Sequence, residues 1–233
     1  MIRSLLWVVP LVIIGGCARQ VPSPFPTKSV TNPATDLDPG VFCGVENFAW
    51  TERDVVSRAA QPSARELECL REEGFVSVIN LRHESSRYDE EEAVGSLGME
   101  YLRVPMVDDT APSPDQVTDY LAFIKEHNPV FSHDAVGRGR MGVMDGIYLM
   151  WKDWPTNEVF ERYVRFGAKI DCQNGGNGQI QALHAIGLLL GRGDAWPLGP
   201  DQYGNVWEDC ASPDYMIGWD YASVEFPLPE GSD

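Results

Sequence analysis

Basic residues are scarce in this chain: lysine and arginine number 18 against 35 aspartates and glutamates, a formal net charge of −17 over 233 residues. A nucleic-acid backbone is held by clustered cations, so this composition excludes a nucleic-acid partner. The densest charge run, Asp89-Glu90-Glu91-Glu92, has the wrong sign for that role and reads as a solvated acidic face. Long apolar runs are also missing, because Leu5 to Ile14 is too short to be a comfortable bilayer span. No two of the five cysteines have C-x-x-C spacing, which argues against a zinc site. The G-x-x-x-x-G-K of a nucleotide-binding P-loop is absent, and no internal repeat is visible.

What is present begins with a targeting pattern. Arg3 supplies a positive start, the apolar run follows, and Ile14-Gly15-Gly16-Cys17 closes it. That tetrad resembles the bacterial lipobox, whose cysteine is lipidated and becomes the first mature residue. The resemblance implies a signal peptide over 1–16 and a Cys17 lipid that holds the protein to a membrane surface rather than through it. It also implies the periplasmic face of a bacterial envelope, at the outer membrane because Ala18 rather than Asp follows. Residues 17–40 carry Pro22, Pro24, Pro26, Pro33 and Pro39, the composition of an extended tether. A globular domain is expected over 41–190. The segment 191–233, with Trp196, Trp207 and Trp219 at no clear period, is expected to be an irregular extension. An exported chain meets an oxidising compartment, so disulfides are expected among Cys43, Cys69, Cys172 and Cys210. Three pairings are open; the loop cysteines Cys172 and Cys210 are the first expectation, with Cys69 buried in a helix.

Two short strands are predicted at 46–50 and 54–61, joined by a turn near Thr51-Glu52. Ser63, with Glu66 three positions on, has the capping-box spacing and opens a helix ending at Gly74. FVSVINL (75–81) is β-branched and uncharged, as a buried parallel strand should be. MEYLRVPM (99–106) is the next strand. Ser113-Pro114-Asp115-Gln116 opens a second helix, in which Val117, Tyr120, Leu121 and Ile124 keep the helical period. PVFSH (129–133) reads as a short central strand, and helical patterns follow at 140–152, 156–168 and 179–190. Strands alternating with helices, then a helical block, give an α/β fold with a central, mainly parallel sheet flanked by helices.

The chemistry lies in PVFSHDAVGRGRMGV, 129–143. Glycines between a strand and a helix let successive backbone N–H groups converge on one point. The helix N-terminus adds partial positive charge, and an arginine can close on two oxygens of an oxyanion. A glycine-rich loop alone also fits a tight turn. In this context, however, the sequence resembles the cysteine-dependent protein tyrosine and dual-specificity phosphatases, whose signature is His-Cys, five residues, then Arg. Here His133 precedes Asp134, and Ala135, Val136, Gly137, Arg138 and Gly139 lead to Arg140. SVINLR (77–82) is similar to the superfamily's strand-to-loop motif, and RAAQPSARELECLREEGF (58–75) to its first strand and helix. VPMVDDTAPSPDQVTDYLAFI (104–124) resembles the general-acid segment, most nearly that of the phosphatase-of-regenerating-liver type. The resemblance spans roughly residues 45–170 and implies a protein-tyrosine-phosphatase-like fold. It implies that Arg140 binds phosphoryl oxygens, that the amides of 135–139 complete the cradle, and that His133 braces the loop. Asp109, rather than Asp108, would protonate the leaving oxygen.

Two departures bear on activity. The family's nucleophile is a thiolate, and this chain has Asp134 in its place, with no other cysteine six positions before an arginine. A carboxylate is a poorer nucleophile, and its charge repels the substrate: two unit charges about 4 Å apart repel by roughly 4 kcal/mol at an effective dielectric near 20. Met141 also stands where Ser or Thr is usual. The expectation is a pseudophosphatase in which Asp134 is a built-in anion filling the site. It would bind an unknown protein or phosphoester ligand through the modified cleft, with no cofactor or resident metal. The alternative is an active phosphate-ester hydrolase, either through Asp134 with Mg²⁺ held by Asp108 or Asp109, or as an altered form of a cysteine enzyme. Plainer structural roles are Arg140 pairing with Asp134, Asp108-Asp109 forming a turn before Pro112, and Arg138 solvated rather than bound to ligand.

Overall fold

The computed structural model describes residues 36, 38–84, 88–168, 178–191 and 221–227. The signal and tether expectations, Cys172, Cys210 and the three C-terminal tryptophans lie outside the described residues.

Six strands form one sheet in the order β1-β2-β3-β6-β4-β5. They are β1 (Gly40–Phe42), β2 (Val45–Glu52), β3 (Val56–Ala59), β4 (Ser77–Arg82), β5 (Glu100–Met106) and β6 (Val130–His133). β1, β2 and β3 pair antiparallel, whereas β3–β6, β6–β4 and β4–β5 are parallel, so the sheet is mixed and its centre parallel. Central strands buried on both faces need apolar side chains on both. Along β4, Val78 faces one cluster and Ile79 and Leu81 the other; along β6, Phe131 and Val130 divide the same way.

Helices α1 (Ala64–Glu72) and α2 (Glu90–Ser96) pack with the Phe75–Phe131 side of the sheet. There Phe42, Phe48, Trp50, Phe75 and Phe131 stack edge and face with centroids 4.6–6.4 Å apart. Helices α3 (Pro114–His127), α4 (Gly139–Trp151), α5 (Thr156–Arg165) and α6 (Gly178–Leu189) build the larger cluster on the other side. Both predicted capping boxes form. The Ser63 N–H donates to Glu66 Oε2 at 2.6 Å, and the Ser113 N–H donates to Gln116 Oε1 at 2.7 Å.

α4 is enclosed. Every residue from Arg140 to Met150 is buried, because α5 and α6 close over it. A Cβ on Gly142 would lie 2.6 Å from the Tyr163 ring, and one on Gly146 would lie 2.7 Å from Leu183. The two glycines therefore allow that approach.

The structure corrects several sequence expectations. The turn joining the first two strands lies one or two residues further on than expected, with β2 running through Glu52 and the Val55 N–H donating to the Glu52 carbonyl at 3.1 Å; the buried Thr51 hydroxyl donates to Asp145 on α4. A short helix, α2, occupies the supposed acidic face, N-capped by Asp89 through the Glu92 N–H. Glu91 and Glu92 are exposed as expected, but Glu90 is buried. The disulfide joins Cys43 to Cys69 with Cα atoms 5.6 Å apart, so Cys69 is bridged and not simply a buried helical thiol. It ties the β1–β2 turn to α1.

Candidate functional site

Three parallel strands end side by side, and each delivers a piece of the site at its C-terminal end, where open α/β sheets place ligands. β6 delivers His133 and the glycine loop. β4 delivers Arg82 and Glu84, and β5 delivers the Met106–Asp109 segment.

The loop closes on its own aspartate. Oδ1 of Asp134 accepts from the N–H groups of Val136 at 2.8 Å and Gly137 at 2.5 Å, and Oδ2 accepts from the Met141 N–H at 2.9 Å. Met141 lies in the first turn of α4, so the carboxylate also meets the positive end of that helix. With 2% of its surface exposed, Asp134 is an internal anion whose two oxygens are both engaged.

Arg140 does not pair with Asp134. Its Nη1 donates to Glu84 at 2.9 and 3.2 Å and to the Met106 carbonyl at 3.2 Å. That hydrogen bond from Arg140 holds the Glu84 carboxyl below the ordinary carboxylate range. Of the paired aspartates, Asp108 approaches Arg140, with Oδ1 3.8 Å from Nε. Asp109 is exposed, sits at φ 58°, and belongs to a turn in which Thr110 donates back to Val107. The turn reading of this segment therefore holds, and Asp108 is the carboxylate brought to the arginine. Arg138 is exposed and packs beside Gly167.

His133 is fully buried, with Nδ1 3.3 Å from the Asp134 carbonyl and Nε2 3.0 Å from Glu90 Oε1. Glu90 collects further donors: Gln61 at 2.5 Å, Tyr101 at 3.1 Å, and Asn80. Burial alone would raise its pKa, but His133 and these hydrogen bonds outweigh burial and hold the carboxyl below its usual range. His133 thus stands between the loop backbone and α2.

The loop's outer side is held from β2 and β3. Asn47 Nδ2 donates to the carbonyls of Gly137 at 2.7 Å, Val136 at 3.1 Å and Phe166 at 3.3 Å. Arg58 Nη2 donates to the Gly137 carbonyl at 2.7 Å. Gly137 is required twice over, by φ +70° and because a Cβ would lie 2.7 Å from the Ala59 backbone. Arg58 is itself buried beside Asp145 at 2.9 Å, and Arg162 reaches the same carboxylate at 2.8 Å. Both guanidinium groups lie over the Phe166 ring, at 4.0 and 4.6 Å. Burial would raise the Asp145 pKa; Arg162 and Arg58 reverse that and lower it.

The sequence reading missed Glu84, Glu90, Asn47, Arg58, Asp145 and Arg162. One signal was available. Asp145 is the single acid in an otherwise apolar helix, MGVMDGIYLM, and a buried charge needs a partner.

Residues 54–153, which contain β3 through α4 and the whole cradle, match the family described as "Polymorphic toxin system, DSP-PTPase phosphatase". No curated protein sequence matches the chain. Among solved structures, a DUF442 protein from Shewanella putrefaciens CN-32, described as a candidate phosphatase, superposes with a TM-score of 0.53 at 19% identity, covering 63% of this chain and 95% of that one. TpbA from P. aeruginosa gives 0.51 at 16% identity, covering 65% and 94%. PTPMT1, crystallised with PI(5)P, gives 0.51 at 21% identity, covering 59% and 93%. The chain carries the fold of the protein tyrosine and dual-specificity phosphatases.

Proposed function

We propose that this protein is a catalytically inactive phosphatase-like binding protein, one that uses the altered cleft to hold a ligand or partner. The observation that carries this reading is the set of three N–H groups, of Val136, Gly137 and Met141, that hydrogen-bond the Asp134 carboxylate. Loop donors that would receive an incoming oxyanion are committed to an anion of the chain itself. Attack on phosphorus by Asp134 would forfeit those hydrogen bonds and bring two negative charges together in a buried site. The lipobox-like Cys17 and the proline-rich segment after it support tethering at a bacterial envelope membrane; no helix among the described residues is long and apolar enough to cross one.

The family match favours a second reading, a working hydrolase of phosphate esters. It requires Asp134 to act as a nucleophile or, together with Asp108 or Asp109, to hold a divalent cation. One experiment separates the two. The full chain and its Asp134→Cys variant are assayed on an aryl phosphate and a phosphotyrosine peptide, with and without Mg²⁺, under reducing conditions. Phosphate binding is titrated in parallel. The binding reading expects a silent wild type with no phosphate affinity, and affinity gained once Asp134 is neutralised. Wild-type turnover, with or without Mg²⁺, would sink it.

A further inference from the structure

With its amides engaged, the cleft still holds two buried or nearly buried cations, and one flexible acid meets both. Glu84 Oε2 lies 2.9 Å from Arg140 Nη1 and 3.6 Å from Arg82 Nε, while Glu84 Oε1 is 3.2 Å from Arg140 Nη1. The Glu84 side chain is 50% exposed, whereas that of Arg140 is 4% exposed and that of Arg82 is 18% exposed. The arginines are held by the fold: Arg82 Nη1 donates to Gln61 at 3.0 Å, and Arg140 to the Met106 carbonyl. Yet Nε of each lacks a hydrogen-bond acceptor among the described residues, although both atoms are buried. Unpaired buried donors on a guanidinium are costly, and an acceptor that satisfied them would bind with that cost relieved.

We propose that Arg82 and Arg140 form a clamp for a carboxylate ligand, and that Glu84 is the resident competitor that occupies it. This inference rests on reading the cleft as a binding site without turnover, and it specifies the ligand's chemistry. The clamp holds a carboxylate already: Arg140 Nη1 donates to both Glu84 oxygens, and Arg82 Nε lies 3.6 Å from one of them. Charge selects against the alternative. Asp108 stands 3.8 Å from Arg140 Nε and the Asp134 anion fills the loop, so these two acids offset the two arginines in formal charge, and a phosphate dianion gains no net attraction while its further oxygens find the loop N–H groups engaged. Glu84 exchanges readily because its exposed side chain can swing into water, while the two arginines stay in place.

The test uses matched aryl probes, benzoate and phenyl phosphate, the latter a dianion at about pH 8. An acetylated peptide ending in glutamate forms a third arm. Binding to the full chain is followed by the arginine Nε–H resonances in the wild type, Glu84→Ala and Glu84→Ala/Arg82→Ala, with thermal melts confirming that each is folded. Glu84→Ala should bind at least one carboxylate probe roughly tenfold more tightly than the wild type, as expected if the competitor occupies the clamp about nine-tenths of the time. It should prefer benzoate to phenyl phosphate, and Arg82→Ala should cancel the gain. Benzoate binding would identify a small acid as the ligand type, and binding of the peptide alone would identify an acidic chain terminus. No gain for either carboxylate in folded Glu84→Ala, or a preference for phenyl phosphate, overturns the proposal. Hydrolysis of phenyl phosphate by the wild type would instead overturn the non-catalytic reading, so the two failures are distinguishable.

Discussion

Asn47 and Gly137, separated by 90 positions, meet through a 2.7 Å hydrogen bond from the Asn47 side chain to the Gly137 carbonyl. The same side-chain nitrogen reaches the Val136 carbonyl at 3.1 Å. In a trans peptide the C=O and the following N–H point in opposite directions. Holding the Val136 carbonyl outward therefore turns the Gly137 N–H inward, where it meets Asp134 at 2.5 Å. The cradle is oriented from behind, by a strand that never touches the anion.

Arg58 acts from the same side, and its loss should be severe. Replacing Arg58 with Leu leaves Asp145 with one of its two buried cations and the Gly137 carbonyl with one donor fewer. Breaking a buried ion pair costs about 3–5 kcal/mol. Urea denaturation should show a loss of that size; a loss below about 1 kcal/mol would mean that Arg162 alone compensates.

Asp134→Asn is nearly isosteric but has the wrong hydrogen-bonding pattern. The amide offers one oxygen, so its NH₂ must face either the Met141 N–H or the two loop N–H groups that Asp134 accepts from. A buried donor left without an acceptor costs about 1–3 kcal/mol, and chemical denaturation should register that loss. A variant as stable as the wild type would show that the loop can re-form around a neutral residue.

Glu90 should make folding sensitive to acid. Its folded-state pKa lies below the ordinary 4.5, so the unfolded chain binds the proton more readily. The resulting stability is complete above the unfolded value and is lost as pH falls through the folded one. Asp145, depressed from 3.8, adds to the same limb. The midpoint of thermal unfolding should fall below about pH 4.5 in the wild type, and less steeply in Glu90→Gln. Parallel curves would remove Glu90 from the account.

The Cys43–Cys69 bridge closes a loop of 26 residues. Chain entropy assigns such a loop about 3.5 kcal/mol. Cys43→Ser/Cys69→Ser should lose about that much in urea, and a reductant should weaken the wild type more than the double variant. Equal sensitivity of the two proteins would place the redox effect elsewhere in the chain.

Local rules made the scaffold legible. Ser63 and Ser113 announced their helices, the uncharged FVSVINL run announced a central strand, and the glycine loop was placed correctly between β6 and α4. The cradle's self-occupation by Asp134 was also readable, because a carboxylate among convergent N–H groups has few other outcomes. Glu84 and Glu90 were not readable. Exposed and buried acids look alike in a sequence, and only the strand order brings Glu90 under His133 and Glu84 over Arg140. That Asp108 rather than Asp109 approaches the arginine was hidden for a similar reason, since it depends on the turn in which Asp109 takes a left-handed conformation.

α4 begins inside the cradle and continues as the most enclosed helix of the described domain. Gly142 and Gly146, pressed against Tyr163 and Leu183, leave it no clearance in which to slide or tilt. The floor of the cleft is accordingly close-packed, and its exposed acids lie at the rim, at Glu84 and the Asp108-Asp109 turn. If the cleft binds as proposed, recognition would rest on exposed rim side chains over a close-packed floor, and a substitution that loosens the helix would forfeit the fold and the binding geometry at once.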